Sequence, residues 1–382
     1  MDFSLTKSQK EIVKAAWAFA KGEFDKEQIL ELSRNQEFPI DILQKAGDLG
    51  FIGIHFPESY EGGGMGLLEN ILVAEAFCRK DSTLGSALMF TGYAAECLIR
   101  SADDERRNKI LPRVTAGEMI LTGAFQEPGR GYELSRMQTS AVQRNGDWVI
   151  NGTKTFVPFG TSAGSYVVLC ATEAEHGDGL TSLFLVEADR KGVHASDAGE
   201  KLGGRLMPFA DVNFDDVVVP PDNLIGKPGD GNAILAAFLC ENRIQIAGMA
   251  LGTAQGAFDR AMDYVKQREQ FGRKLAQFQI TRHKLADMAA KIETARYLTY
   301  YAAWSFDNGK PEARLASMAK LTATRAAAEV CDEAIQLLGG YGYTTEYEVE
   351  HFFRDAKQAQ IFQGGPSVLK DIIADEIIGK LK

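Results

Sequence analysis

The sequence predicts a mostly helical α+β chain in three parts: an N-terminal helical domain (residues 1–118), a middle antiparallel β domain (119–226) and a C-terminal four-helix bundle (227–382). Three observations predict it. Apolar residues recur at helical three- and four-residue spacing through the first third. Near residue 119 the pattern changes to short β-type runs divided by turn clusters. From about 230 long segments with few breakers return, and Ala247, Ala250, Ala254, Ala257 and Ala261 repeat at three- and four-residue steps, a stripe that lets helices pack closely.

In chain order, Phe3 to Gln9 opens a first helix with Ser or Thr as its cap. Pro39 begins another, with Ile40, Leu43, Leu49 and Ile52 along one side or its exit. Residues 57–66 form a glycine-rich turn. A phosphate-binding loop is a poor reading of it, because no strand precedes it and no Lys-Ser/Thr follows. Helices are expected over 67–80, 83–100 and 103–117. The β-type runs are Ile120–Phe125, Trp148–Ile150, Tyr166–Leu169, Leu183–Val186 and Val212–Phe214, with turns at Asn145-Gly146 and Asn151-Gly152. Helices then cover 232–267 and about 276–306, 311–338, 346–353 and 366–380, with a short link around Asp307–Pro311 that suits an antiparallel bundle.

Composition narrows the function. The chain has 382 residues, 45% hydrophobic and 25% charged, with a net charge of −10. That charge, with no basic run, argues against a nucleic-acid surface. The start of the sequence lacks a basic region followed by an apolar run, and no apolar run approaches the roughly 20 residues of a membrane span, so a cytoplasmic location is expected. The five cysteines show no CxxC pair and read as buried core thiols. The five histidines show no metal-ligand spacing, so no metal site is expected.

Three blocks point further: Arg268-Glu269-Gln270-Phe271-Gly272-Arg273-Lys274, then Gln336-Leu337-Leu338-Gly339-Gly340-Tyr341-Gly342-Tyr343, then Arg354 to Gly365. In this order they resemble the C-terminal signatures of the acyl-CoA dehydrogenase family, and helices, β domain and helical bundle follow each other as in that fold. The resemblance covers essentially the whole chain. It implies an FAD-dependent oxidoreductase that removes hydrogen between the α and β carbons of an acyl thioester, presented by CoA or an acyl-carrier protein. It also implies electron transfer to an electron-transfer flavoprotein or similar acceptor, and a homotetramer built as a dimer of dimers.

Such chemistry needs a carboxylate base at the α carbon, donors on the thioester carbonyl, and a flavin to take the β hydride. The resemblance places flavin contacts at Phe125, Gln126, Gly131, Phe156 and Pro158. Gln126 and Tyr132 stand where the family has Thr and Ser, and Pro158 offers neither hydroxyl nor N–H. An ordinary turn between strands is the plain alternative for 123–133. FAD diphosphate and adenosine contacts are implied at Arg268, Phe271 and Gln279 and at Gln336 and Gly340, the two sets taken from neighbouring chains; a capping turn and a solvated Arg are the plain alternative. Tyr132, Arg243 and Gln363 are candidate substrate contacts, and Arg243 equally suits a pairing within the bundle.

Gln363 replaces the Glu that removes the α proton in the family, and an amide is not basic. Some relatives carry the base on the long helix before an Arg. Aligned on Arg243, that position holds Asn242, with Glu241 one residue early, about 100° around the helix. Glu241 is the candidate base, and a surface carboxylate is the equal alternative. Two further readings stand beside dehydrogenation: non-standard chemistry such as elimination, reduction or oxygenation, and a non-catalytic subunit of a heteromeric dehydrogenase.

Overall fold

The structure, a computed structural model, describes residues 4–132, 134, 137–172 and 180–379. Seven helices lead: α1 (Lys7–Glu23), α2 (Lys26–Asn35), α3 (Ile40–Asp48), α4 (Leu67–Lys80), α5 (Ser82–Met89), α6 (Ala95–Ser101) and α7 (Asp104–Thr115). Thr6 caps α1 with a capping box closed by Gln9, and Pro39 precedes α3. The expected helix over 83–100 is two helices. Between them Gly92 bridges to Leu121, and Ala94 takes φ +79, so the chain cannot continue as one rod.

Eight strands follow: β1 (Leu121–Ala124), β2 (Ser140–Arg144), β3 (Asp147–Pro158), β4 (Ser165–Thr172), β5 (Leu180–Glu187), β6 (Val193–Asp197), β7 (Phe209–Val219) and β8 (Leu224–Ile225). Their order is β6-β7-β3-β2-β4-β5-β8, with β1 on β4. The sheet is mixed rather than purely antiparallel, because β1 and β2 both run parallel to β4. The pattern missed β2 and β6, whose residues are largely exposed. Asn145-Gly146 turns β2 into β3, both residues at positive φ as a tight hairpin requires. Asn151-Gly152 is no turn; it lies within β3 at a register shift opposite β7.

The last part holds α8 (Gly231–Gln267), a two-strand hairpin β9 (Glu269–Gln270) and β10 (Arg273–Lys274), α9 (Gln279–Asp307), α10 (Ala313–Leu338), α11 (Val349–Ile361) and α12 (Pro366–Ile378). The stripe Ala247, Ala250, Ala254, Ala257 and Ala261 is buried in a cluster with Ala295, Ala319, Ala323 and Ala327 of α9 and α10. A second stripe faces α4. Side chains added at Gly248, Gly252 and Gly256 would meet Ile71, the Glu75 carbonyl and the Arg79 carbonyl within 2.7 Å. Helix α8 is long and apolar enough to cross a membrane, but most of its apolar window is buried inside this bundle. All five cysteines are free and buried. The N-terminal helices and the sheet share one apolar core, which includes Phe77, Phe90, Tyr93, Phe125 and Phe238.

Candidate active site

The ends of β1 and β3 lie side by side. The amide of Thr155 donates to the Gln126 carbonyl at 2.9 Å, and the Thr122 hydroxyl donates to the Pro158 carbonyl at 2.6 Å. Phe156 stands on this ledge at φ +53 and is 56% exposed. Gly131 has φ +55 and open space where a Cβ would sit. The loop after β1 is tied down by Glu127, which accepts from the amides of Gln138 and Thr139, each at 2.7 Å, and from Lys154 Nζ at 2.9 Å. Burial alone would raise the Glu127 carboxyl, but these donors overturn it and bring it down to about 2. Lys154 is wholly buried, and burial lowers its own value.

Next to this ledge is a small pocket lined by Tyr93, Phe125, Gln126, Tyr132, Pro158 and Gln363, among others. The Tyr132 hydroxyl donates to Gln363 Oε1 at 3.4 Å and accepts from Arg243 Nη2 at 3.4 Å, while Arg243 Nε reaches the Gln363 carbonyl at 3.5 Å. The structure therefore brings Tyr132, Arg243 and Gln363 together from three distant segments. Gln363 sits at φ +54, a conformation its own backbone does not prefer. Lys320 on α10 holds it there, donating to the carbonyls of Phe362 and Gly364. Burial, then the charge of Arg243, pushes Lys320 down to about 7. Burial raises Tyr132 more than Arg243 lowers it, so the phenol rests protonated. Among the described lining residues no carboxylate faces this pocket.

Glu241 is not brought there, which corrects the expectation of a base at this residue. It is two residues from Arg243, about 200° around α8. It is 4% exposed, paired with Arg100, and 3.8 Å from His55 Nε2. It is not a surface carboxylate either. His55 in turn contacts Glu96 at 3.1 Å, and Gln245 donates to Glu96 at 2.8 Å and accepts from Asn242 at 2.9 Å. Burial, then Glu96, raises Glu241; Arg100 and His55 oppose this without cancelling it. His55, Glu96 and Glu241 place potential ligand atoms within 4.8 Å of one another, a grouping that sequence spacing did not show.

A second groove, of about 520 Å³, lies at the far end of the bundle. Arg268, Gln336 and Gly340 line it together, from one chain, with Tyr264 and Tyr341. Within one chain, then, Arg268 and Gln336–Gly340 lie on the same groove. Phe271, 93% exposed at the tip of the hairpin, and Gln279, exposed at the start of α9, do not line the groove. The residues fit a flavin nucleotide. The ledge offers an exposed aromatic and open glycine backbone, and the groove offers a guanidinium beside Gly339 and Gly340, whose backbones also have open space around them. Pro158, by contrast, has no donor to give the ring.

The chain matches three family descriptions: "Acyl-CoA dehydrogenase, N-terminal domain" over residues 6–118, "middle domain" over 122–217 and "C-terminal domain" over 229–378. It is 37% identical to a short-chain-specific acyl-CoA dehydrogenase of Clostridium acetobutylicum over 99% of this chain and 100% of that protein. It is 34% identical to the caffeyl-CoA reductase-Etf complex subunit CarC of Acetobacterium woodii over 98% of this chain and 99% of that one. Its fold superposes on butyryl-CoA dehydrogenase from Megasphaera elsdenii with a TM-score of 0.94 at 32% identity, covering 99% and 100% of the two chains.

Proposed function

This chain belongs to the acyl-CoA dehydrogenase family, and on that premise we propose that it is an FAD-dependent oxidoreductase acting at the C2–C3 bond of an acyl thioester. The thioester is carried by CoA or an acyl-carrier protein. Phe125, Gln126, Gly131, Phe156 and Pro158 wall the flavin ring, and Arg268, Gln336 and Gly340 hold the diphosphate and adenosine across the interface of neighbouring copies, since Arg243 at the ring pocket and Arg268 lie about 37 Å apart along α8 of one chain. When bound, FAD supplies a two-electron carrier for the hydride at C3. Phe271 and Gln279 extend toward a second copy in a homotetramer. An electron-transfer flavoprotein or similar partner exchanges the electrons, and the protein is cytoplasmic.

One observation carries the chemistry at C2: Tyr132, Gln363 and Arg243 converge on the pocket beside the ledge. The Gln363 amide can donate to a thioester carbonyl and stabilise negative charge there, but it cannot take a proton. Tyr132 is the titratable hydroxyl positioned to exchange a proton with C2. As a neutral phenol it carries a proton that it can donate. The pocket thus favours protonation at C2, the step that completes reduction of a 2-enoyl thioester, over the α-proton removal of dehydrogenation. The Acetobacterium relative carries a reductase name.

The test is to purify the protein, record its flavin absorbance, and add butyryl-CoA to the oxidised form and crotonyl-CoA to the reduced form without oxygen. A yellow protein whose spectrum responds to either thioester supports the reading. A colourless chain that takes up flavin only when mixed with a partner chain supports the non-catalytic subunit instead.

A further inference from the structure

The break between α5 and α6 brings two aromatic rings together. Phe90 caps the end of α5, and the Tyr93 amide donates back to the Phe90 carbonyl at 3.1 Å, so both side chains leave one tight turn. A third ring comes from the far end of the sequence: Phe362 caps α11, immediately before Gln363. The three rings touch one another. Phe90 and Phe362 meet edge to face with centroids 5.2 Å apart; Tyr93 is tilted against both, at 5.6 Å from Phe90 and 5.7 Å from Phe362. Such pairs attract beyond the area they bury, so the cluster resists opening.

The cluster separates two spaces. On one side is the pocket of Tyr132 and Gln363, which Tyr93 and Phe362 also line. On the other, between α5, α8 and α11, is a cavity of about 30 Å³ walled by Phe90, Phe362, Ile246, Met249, Ala250 and Ala359. The polar groups at its edge already have partners. Asp355 accepts from Ser82 and Thr83, each at 2.6 Å, and from the Gly204 amide at 2.7 Å, while the Thr253 hydroxyl donates to the Met249 carbonyl at 2.9 Å. Nothing polar is left asking for a ligand there, so the space suits alkyl carbon.

Helix α8 leads from the pocket to the cavity. Arg243 reaches the Gln363 carbonyl, and Ile246 and Ala250, three and seven residues on, share its face of the helix. An acyl tail that leaves a thioester beside Gln363 and follows this face meets Phe362 and Phe90 first. The cavity beyond has room for a water or two and not for a run of methylenes.

Resting on the acyl-thioester reading above, we propose that Phe90 and Phe362 close the far end of the acyl pocket and set chain length. The substrate's acyl group is short, of butyryl rather than octanoyl size, and longer tails are refused because the rings would have to part.

Calorimetric titration of the oxidised, FAD-loaded protein with butyryl-, hexanoyl- and octanoyl-CoA tests it. In an open apolar channel each added methylene tightens binding by roughly fourfold. Behind a closed wall the trend reverses: octanoyl-CoA should bind about tenfold or more weakly than butyryl-CoA, the usual penalty for forcing methylenes into a filled core. Phe90→Ala opens the way into the second cavity, and the ratio of octanoyl to butyryl affinity should rise by about tenfold or more. Phe362→Leu serves if Phe90→Ala does not fold. Affinity that holds or rises from butyryl to octanoyl in the wild type overturns the proposal while leaving the flavoenzyme reading intact; so does an unchanged ratio in a folded, flavin-bound variant. The wild-type comparison decides alone if neither variant folds. If none of the three thioesters binds, the acyl-thioester reading fails as well.

Discussion

The hydroxyl of Tyr132 donates to Oε1 of Gln363 across 3.4 Å, joining a loop beyond β1 to the turn between α11 and α12. The same oxygen faces Arg243 at 3.4 Å. If this phenol is the proton carrier, Tyr132→Phe should keep bound FAD and thioester affinity but slow enoyl reduction by roughly 10²–10⁴-fold, the usual worth of a general acid. Single-turnover absorbance at saturating substrate reads this directly. A loss confined to KM would assign Tyr132 to binding alone.

Gln363 stands on a backbone pinned by Lys320, so its side chain can be exchanged with little disturbance. Gln363→Glu should introduce a base beside the C2 position. Flavin bleaching by butyryl-CoA should then rise at least about tenfold over wild type, with a pH dependence set by the new carboxylate. No gain would mean that C2 does not lie against residue 363.

Arg268 lines the groove with Gln336 and Gly340, and its guanidinium lies 5.6 Å above the Tyr341 ring. Arg268→Glu replaces attraction for a diphosphate with repulsion. It should weaken FAD binding by about tenfold or more while the circular dichroism spectrum stays native. Retention of stoichiometric flavin would place the diphosphate elsewhere.

The Glu127–Lys154 pair is buried, and breaking it leaves an uncompensated charge. Glu127→Gln should cost about 3–5 kcal/mol in denaturant unfolding, whereas Glu127→Gln with Lys154→Met should recover much of it. Equal loss in the single and double variants would show that the amide bonds to Gln138 and Thr139, rather than the charge, hold the loop.

His55 has its folded value raised above 6.5, chiefly because Glu96 outweighs burial. A raised base binds its proton more tightly in the folded state, so its contribution is complete below about pH 6.5 and is lost as pH rises through the higher folded value. Wild-type stability should therefore carry a downward component above pH 6.5 that is missing in His55→Gln. Denaturant midpoints between about pH 5.5 and 9 measure it; parallel curves would contradict the protonated state.

Much of the fold was legible because helical and alternating periods survive burial. The five apolar β runs lie in β1, β3, β4, β5 and β7, and the alanine stripe on α8 is the bundle seam. The glycine stripe Gly248, Gly252 and Gly256 was also readable, yet it means little until α4 lies against it. Lys320, alone among Ala316, Ala319, Ala323 and Ala327 on a buried face, was a further signal that passed unread. The site was harder. His55, Glu96 and Glu241 come from three segments, and no local spacing announces that they meet. Glu241 does not line the pocket of Tyr132 and Gln363, because a one-residue offset turns its side chain about 100° around α8, toward Arg100.

The central claim is proton delivery to C2 and hydride transfer at C3 in a pocket of donors. Reduced, FAD-loaded protein mixed with crotonyl-CoA in D₂O without oxygen tests it most directly, by recovery of the oxidised flavin spectrum and by the position of deuterium in the product. Reoxidation within turnover, deuterium at C2 from the solvent-exchanged proton donor and at C3 from the solvent-exchanged flavin N–H, and loss of that rate in Tyr132→Phe are expected. A flavin that stays reduced with crotonyl-CoA, in a protein rapidly bleached by butyryl-CoA, would contradict it.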